Sequence, residues 1–225
     1  MNACLNQTAR HENHGFSKLP SPDMRSRSVP LYQGTTHRLI LSPFTEQDIP
    51  HFAKLASDPK VQATDICFDG PITEVRAKEF IEHYQHAWQN QFAYFFGVRT
   101  KHTNELIGSV SLCFGAPFEG SGLKRGELGY WLDSNHWGQG LITEAAEALL
   151  KFSFYELNVN RVHAQHLSNN PASGRILQKL GMKYEGCLRQ HVIRNTLWYD
   201  MHQYGILKQE HQKLGDLKLK ALTYQ

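Results

Sequence analysis

Two glycines, Gly138 and Gly140, separated only by Gln139, stand directly before the most apolar helical run in the chain. Glycine has no β-carbon, and the first amides of a helix have no partner within it and carry the positive end of its dipole. Together these features can hold phosphate oxygens on bare backbone N–H groups. The same residues also make an ordinary strand-to-helix turn, and the loop alone leaves both open. A Walker loop requires GxxxxGK[ST], and neither the spacing nor the lysine is present. A Rossmann fingerprint requires glycine or alanine where this chain has Thr143. What remains is a short amide cradle that suits a pyrophosphate.

Other chemistry-bearing residue types give less. His163 and His166 lie three apart on a predicted strand, so they face opposite sides of the sheet and cannot readily share an ion. No metal is expected. The four cysteines, Cys4, Cys67, Cys113 and Cys187, form no CxxC pair, which points away from zinc or a disulfide framework and towards a reducing cytoplasm. A formal charge of +3 calls for neither nucleic acid nor an anionic membrane as a direct partner. No apolar run approaches the roughly 20 residues of a membrane span, and the first residues lack the apolar centre of a signal peptide.

The elements that would position the cradle are read from periodicity. The 225 residues suit one domain with tails. Residues 1–34 are polar and broken by Pro20, Pro22 and Pro30, as a loosely ordered arm would be, and residues 209–225 read as a tail. Between them, residues 35–208 alternate strand and helix patterns. Strands are expected at 37–44, 92–100, 105–114, 126–132 and 161–167, with a closing pair within 185–207. Four helices are expected. The first begins after Asp48 as cap, and the second, over 71–89, turns Val75, Phe80, Ile81 and Tyr84 inward. The third begins at Leu141 and buries Ala145, Leu149 and Phe152, with Glu147 and Lys151 paired outside. The fourth has Asn170 as cap, Pro171 as its first residue and Gly181 as its stop. Residues 115–126 are too glycine-rich for regular structure.

At this point the chain resembles the GNAT superfamily of N-acetyltransferases. The family's signature is Gln or Arg, two residues, Gly, one residue, then Gly or Ala; here it reads Asn135-His136-Trp137-Gly138-Gln139-Gly140, departing at the first position. The wording WGQGLITEA is similar to the branch typified by ribosomal-protein N-terminal acetyltransferases. The blocks THRLIL, GELGYWLD, NPASGRILQKLGMKYEG and the final EGCLRQHVIRNTLWYDMHQYGIL match in the family's order. The resemblance implies that residues 35–208 are an acetyltransferase domain of α/β (α+β) type. Its mixed, strongly twisted sheet would have about seven strands flanked by about four helices, the fourth and fifth strands splayed to admit the pantetheine arm.

It also implies acetyl-CoA as co-substrate. Backbone groups of Tyr130, Trp131 and Leu132 would pair with pantetheine, and amides of Trp137, Gly138, Gln139, Gly140 and Leu141 would hold the pyrophosphate. Thr143, in the first turn of the adjoining helix, would also contact the cofactor, as would Ser173, and Asn170 would add a bond to it beyond its role as cap. Glu127 takes the position of the family's acidic strand residue, a base acting through water; a strand Glu that merely pairs with a Lys or Arg is the alternative. Ser173 stands where the ribosomal-protein branch carries a serine proposed to protonate the departing thiolate. Many other members use a tyrosine where this chain has Leu177. The alternative for Ser173 is a first-turn serine that bonds the helix's own amides. Trp198, Tyr199 and Asp200 fall in the hairpin that frames the family's acceptor cleft, with packing into the core the alternative for the two aromatic residues.

The acceptor would be a primary amine, first of all the α-amine of a protein such as a ribosomal protein. Deprotonating an α-amine of pKa about 8 at pH 7 costs about 1.4 kcal/mol, against about 4.6 kcal/mol for lysine, so a weak or water-relayed base suffices. A polyamine, an amino-sugar antibiotic, or a non-catalytic acyl-CoA-binding role are the alternatives. A cytoplasmic monomer or homodimer is expected.

Overall fold

The computed structural model describes residues 32–68, 70–114 and 125–214. The arm up to residue 31, the glycine-rich loop over 115–124 and the tail from 215 lie outside them. The fold is one eight-stranded sheet with helices on both faces, in the order β1-β2-β3-β4-β5-β6-β8-β7. The strands are β1 (Gly34–Thr35), β2 (Leu39–Pro43), β3 (Ala93–Thr100), β4 (Leu106–Cys113), β5 (Arg125–Leu132), β6 (Arg161–Leu167), β7 (Lys183–Arg194) and β8 (Leu197–Leu207). The strand beyond the expected seven is β1, a two-residue stretch pairing Gly34 with Leu41 and too short to show a period.

The helices are α1 (Ile49–Ala56), α2 (Pro59–Thr64), α3 (Glu74–Gln89), α4 (Leu141–Lys151) and α5 (Pro171–Lys179), with a further helical stretch over 208–214. The short α2 was not expected; it is capped by Asp58, whose side chain accepts from the Lys60 amide. Asp48 does not cap α1 with its side chain. It closes a capping box with Thr45 and pairs with Arg99 at 2.7 Å, so its carboxylate satisfies a buried cation instead. Val75 departs from the expected face: it is solvent-exposed, and α3 buries Ala77, Phe80, Ile81, Tyr84, Ala87 and Trp88.

Period-two alternation places one core on each face of the sheet. On β3, Tyr94, Phe96 and Val98 join the cluster under α4 and α5, while Ala93 and Phe95 join the cluster under α1 and α3. All eight residues of β4 are buried, as a strand covered on both faces must be. Helix α4 buries Leu141, Ile142, Ala145, Ala146, Leu149 and Leu150, and its outer face carries the Glu147–Lys151 pair at 3.9 Å. Tyr32 packs edge-on against Phe152, and buried His211 packs on Phe154, so both ends of the described chain lie on the core. No helix among the described residues is long and apolar enough to cross a membrane.

Among the described residues, strands β5 and β6 are the only parallel neighbours, and they pair where Arg125, Gly126 and Glu127 meet Arg161, Val162 and His163. Beyond these pairs β5 continues against β4 as far as Leu132, and β6 continues against β8 as far as Leu167. These are the strands expected to splay. Among the described residues, one edge of β5 from 128 to 132 has no strand partner, and a cleft opens beside it.

Candidate active site

The cleft has a volume of about 250 Å³ and follows the divergence. Its floor is β5 from 127 to 132 and β6 from 165 to 167. One wall comes from α2 and the residues after it, and the other from Asn170, Ala172, Ser173 and Ile176 of α5. Gly138, Gly140, Leu141 and Ile142 close the end. The cleft therefore gathers Glu127, Tyr130, Trp131, Leu132, Trp137, Gly138, Gly140, Leu141, Asn170 and Ser173, all predicted from sequence. Gln139 and Thr143 are not on its lining.

Both glycines of the cradle are left-handed, with φ of 75° at each, and Gly140 occupies the N-cap of α4. A side chain there would be strained by about 1–2 kcal/mol. A β-carbon on Gly138 would meet no protein atom within 4 Å, so the space above it is open to a ligand. The amides of Gly138 and Gly140 find no acceptor among the described residues. These residues fit a bound pyrophosphate. The Trp137 amide faces back to the Ser134 carbonyl at 3.4 Å, and its indole Nε1 donates to Leu132 O at 2.8 Å, tying the loop to the end of β5.

Three residues that sequence reasoning passed over hold this loop. Asp133 accepts from the Asn135 amide and side chain and lies 2.9 Å from His136 Nδ1. Asn135, at the position where the signature departs, is thus committed to the turn. Ser134 Oγ donates to Asp58 at 2.6 Å, fastening the loop to α2. Arg38 at the start of β2 donates to the Gln139 carbonyl at 2.9 Å and to Glu144 at 2.7 Å. Burial pushes the Glu144 carboxyl up, but bonds from Thr36 and from the Arg38 amide and guanidinium outweigh it and hold the pKa below its ordinary value.

Asn170 is a cap by geometry: its Oδ1 accepts from the Ser173 amide at 3.1 Å, and its Nδ2 reaches Thr64 O at 3.5 Å. Ser173 is buried, and its hydroxyl is not spent on the helix's own amides. It lies 2.8 Å from Tyr130 Oη. Glu127 sits on the last paired rung, its Oε2 4.0 Å from His163 Nε2. Burial lowers the His163 pKa; Glu127 opposes this, and Arg161 and Arg125 add to it. The imidazole is therefore largely neutral at pH 7. His166 turns to other neighbours, with Nδ1 2.9 Å from Leu167 O and its ring stacked on His202. Among the described residues no three His, Cys, Asp or Glu side chains gather as a metal site would require.

In the closing hairpin, Asp200 accepts from the Gln190 amide across a bulge, Tyr199 is half-buried, and Trp198 is exposed rather than part of the core. The tip of the hairpin is fastened to the far wall of the cleft by Arg194, whose guanidinium donates to the carbonyls of Gln62, Asp65 and Phe68.

Residues 38–183 match the acetyltransferase (GNAT) domain, a span that includes the cradle, both splayed strands and α5. The chain belongs to the GNAT acetyltransferase family. It is an acetyl-CoA-dependent N-acetyltransferase. This GNAT chain is 31% identical to the uncharacterized N-acetyltransferase p20 of Bacillus licheniformis, over 78% of its own length and 96% of the relative's. To the [ribosomal protein uS5]-alanine N-acetyltransferase of Escherichia coli it is 25% identical, over 77% and 89%. Among solved structures, a Bacillus anthracis GNAT acetyltransferase superposes with a TM-score of 0.67 at 25% identity, covering 79% of this chain and 99% of the other.

Proposed function

We propose that this GNAT enzyme acetylates the N-terminal α-amine of a cytoplasmic protein, with ribosomal proteins as the first candidates, by direct attack within a ternary complex. The relatives named for ribosomal-protein acetylation support the acceptor class. The observation that carries the chemistry is that Glu127 and Ser173 line the same cleft from different elements, one on the last rung shared with β6 and the other in the first turn of α5.

Acetyl-CoA supplies the activated acyl group. The cradle and the open edge of β5 orient it, so that positioning supplies much of the rate. Glu127 takes a proton from the attacking amine, directly or through one water, as the C–N bond forms. Ser173 gives its proton to sulfur as the C–S bond breaks, and solvent returns the proton from Glu127 to the serine. An α-amine suits this arrangement because little energy is needed to neutralise it near pH 7.

The test is thiol release from acetyl-CoA with N-terminal peptides of ribosomal proteins beside polyamines and aminoglycosides, followed by mass spectrometry to locate the acetyl group. Acetylation at the peptide α-amine is the expected result. Faster turnover of a polyamine or aminoglycoside would reassign the acceptor. Tight acetyl-CoA binding without thiol release from any amine would mark a non-catalytic acyl-CoA-binding protein.

A further inference from the structure

The side chain of Tyr130 has no part in the scheme above, where only its backbone faces the pantetheine path. It leaves β5 and reaches the first turn of α5, where its Oη lies 2.8 Å from Ser173 Oγ and 3.2 Å from the Ser173 carbonyl oxygen. A carbonyl oxygen can only accept, so Tyr130 is the donor in the longer contact. In the shorter contact either hydroxyl can donate.

The single phenolic proton of Tyr130 therefore has two acceptors on one residue. When it points to the carbonyl, Ser173 can donate back to Tyr130. When it swings to Oγ, Tyr130 keeps a hydrogen bond and the Ser173 proton is released to turn into the cleft. The switch takes two hydroxyl rotations and leaves neither group unsatisfied, which matters because an unpaired buried hydroxyl is costly. Burial pushes the Tyr130 phenol above its ordinary pKa, and the bond from Ser173 offsets only part of that. The phenol keeps its proton throughout the physiological range.

We propose that Tyr130 is a positioning residue for Ser173, donating to Oγ so that the serine proton faces the leaving sulfur and the oxygen left behind is stabilised. This rests on the reading in which Ser173 protonates the thiolate. It accounts for two features of the site together: a serine withdrawn from its own helix's amides, and a tyrosine hydroxyl carried on a stretch, 130–132, that otherwise offers the cofactor only its backbone. A serine hydroxyl is a weak acid, and a second hydroxyl bonded to its oxygen lowers the energy of giving up its proton.

The test uses the full chain as Tyr130→Phe, Ser173→Ala and the double variant. It compares kcat, KM for acetyl-CoA, CoA affinity by calorimetry and melting temperature. The Tyr130→Phe variant is expected to lose about five- to tenfold in kcat, the worth of one ordinary hydrogen bond, with KM and CoA affinity within about twofold of the wild type. Ser173→Ala is expected to lose more, and the double variant no more than Ser173→Ala alone.

Three outcomes overturn the proposal. A full rate in Tyr130→Phe removes the role outright. An equal loss from Tyr130→Phe in the wild-type and Ser173→Ala backgrounds makes the tyrosine effect independent of the serine. A full rate in Ser173→Ala defeats the underlying reading of Ser173 instead, so failure of that reading and failure of the Tyr130 proposal are told apart. Normal melting and CoA binding of Tyr130→Phe separate a lost proton path from a damaged fold.

Discussion

The imidazole of His166 occupies the space that a side chain at position 174 would need: a β-carbon on Gly174 would lie 2.7 Å from His166 Nε2. The ring is held there by its bond with Leu167 O and by stacking on His202, and it cannot easily step aside. Helix α5 therefore rests on β6 only because residue 174 is glycine, and this close approach brings the preceding residue, Ser173, to the cleft. Gly174→Ala is expected to cost about 1–3 kcal/mol, as overpacking generally does. It should lower turnover further by tilting Ser173 away from Tyr130. Thermal melting and thiol release check both effects, and adding His166→Ala should recover part of each. An unchanged melting temperature in the single variant would mean that the ring gives way freely.

The cradle is clamped from β2. Arg38 joins the Gln139 carbonyl to Glu144, and its Nη2 would lie 3.7 Å from a β-carbon on Gly140. The Arg38 side chain is 42% exposed, so the ion pair itself is expected to add no more than about 1 kcal/mol to stability. Its effect should appear in loop order. Arg38→Ala is expected to weaken CoA binding by roughly three- to tenfold in calorimetry while moving the melting temperature little. Gly138→Ala should weaken it further, because a left-handed residue is then strained in the loop that binds. CoA affinity unchanged in both variants would locate the pyrophosphate elsewhere.

Acid should destabilise the protein in two stages. His83, His163 and His166 all have pKa values held below 6.5, burial being the first cause in each. For a base depressed in the folded state, the unfolded chain binds more protons below its own pKa. Stability is therefore full above about pH 6.5 and falls as the pH drops below it. Glu144, Glu185, Glu210 and Asp58 have depressed pKa values and join the loss only below their ordinary values of 4.5 and 3.8. Asp65, raised by burial, works the opposite way, and does so above its ordinary value of 3.8. Melting curves from pH 8 to 4 should be flat at first and then slope from about pH 6.5. His163→Gln should make the first slope shallower; the same slope in that variant would remove His163 from the set.

The features legible in the sequence are those written locally. The Gly-x-Gly turn, the apolar face of α4, the Asn170 cap and the hairpin turn after β3 depend on residues within a few positions of one another. Pairings across the sheet are not written that way. Arg38 and Glu144 lie 106 positions apart, and Tyr130 and Ser173 lie 43 apart. Each side chain alone looks like an unremarkable surface cation, strand aromatic or first-turn serine. The Glu127–His163 contact arises only because β5 and β6 run parallel through three residue pairs, a register that no local pattern encodes. Val75 misled because it continues a helical spacing outward from the buried face. Gly174 did carry a signal, a glycine inside a helical pattern, which marks a close approach by a neighbour.

Glu127 gives the sharpest test of the chemistry. If it is the base, Glu127→Gln should lower kcat/KM for a peptide α-amine at pH 7 by roughly tenfold or more, within the range general-base removal produces. The deficit should shrink as the pH rises past the amine's own pKa of about 8, because the free amine then arrives already neutral. A lysine ε-amine, with pKa about 10.4, should show no such recovery below pH 9. The neutral His163 nearby does not replace the lost carboxylate, since burial already disfavours its taking a proton. The pH–rate profile of the variant against wild type is the measurement. A variant with the full wild-type rate at pH 7 and an unchanged profile would leave Glu127 as a strand residue facing His163 and nothing more.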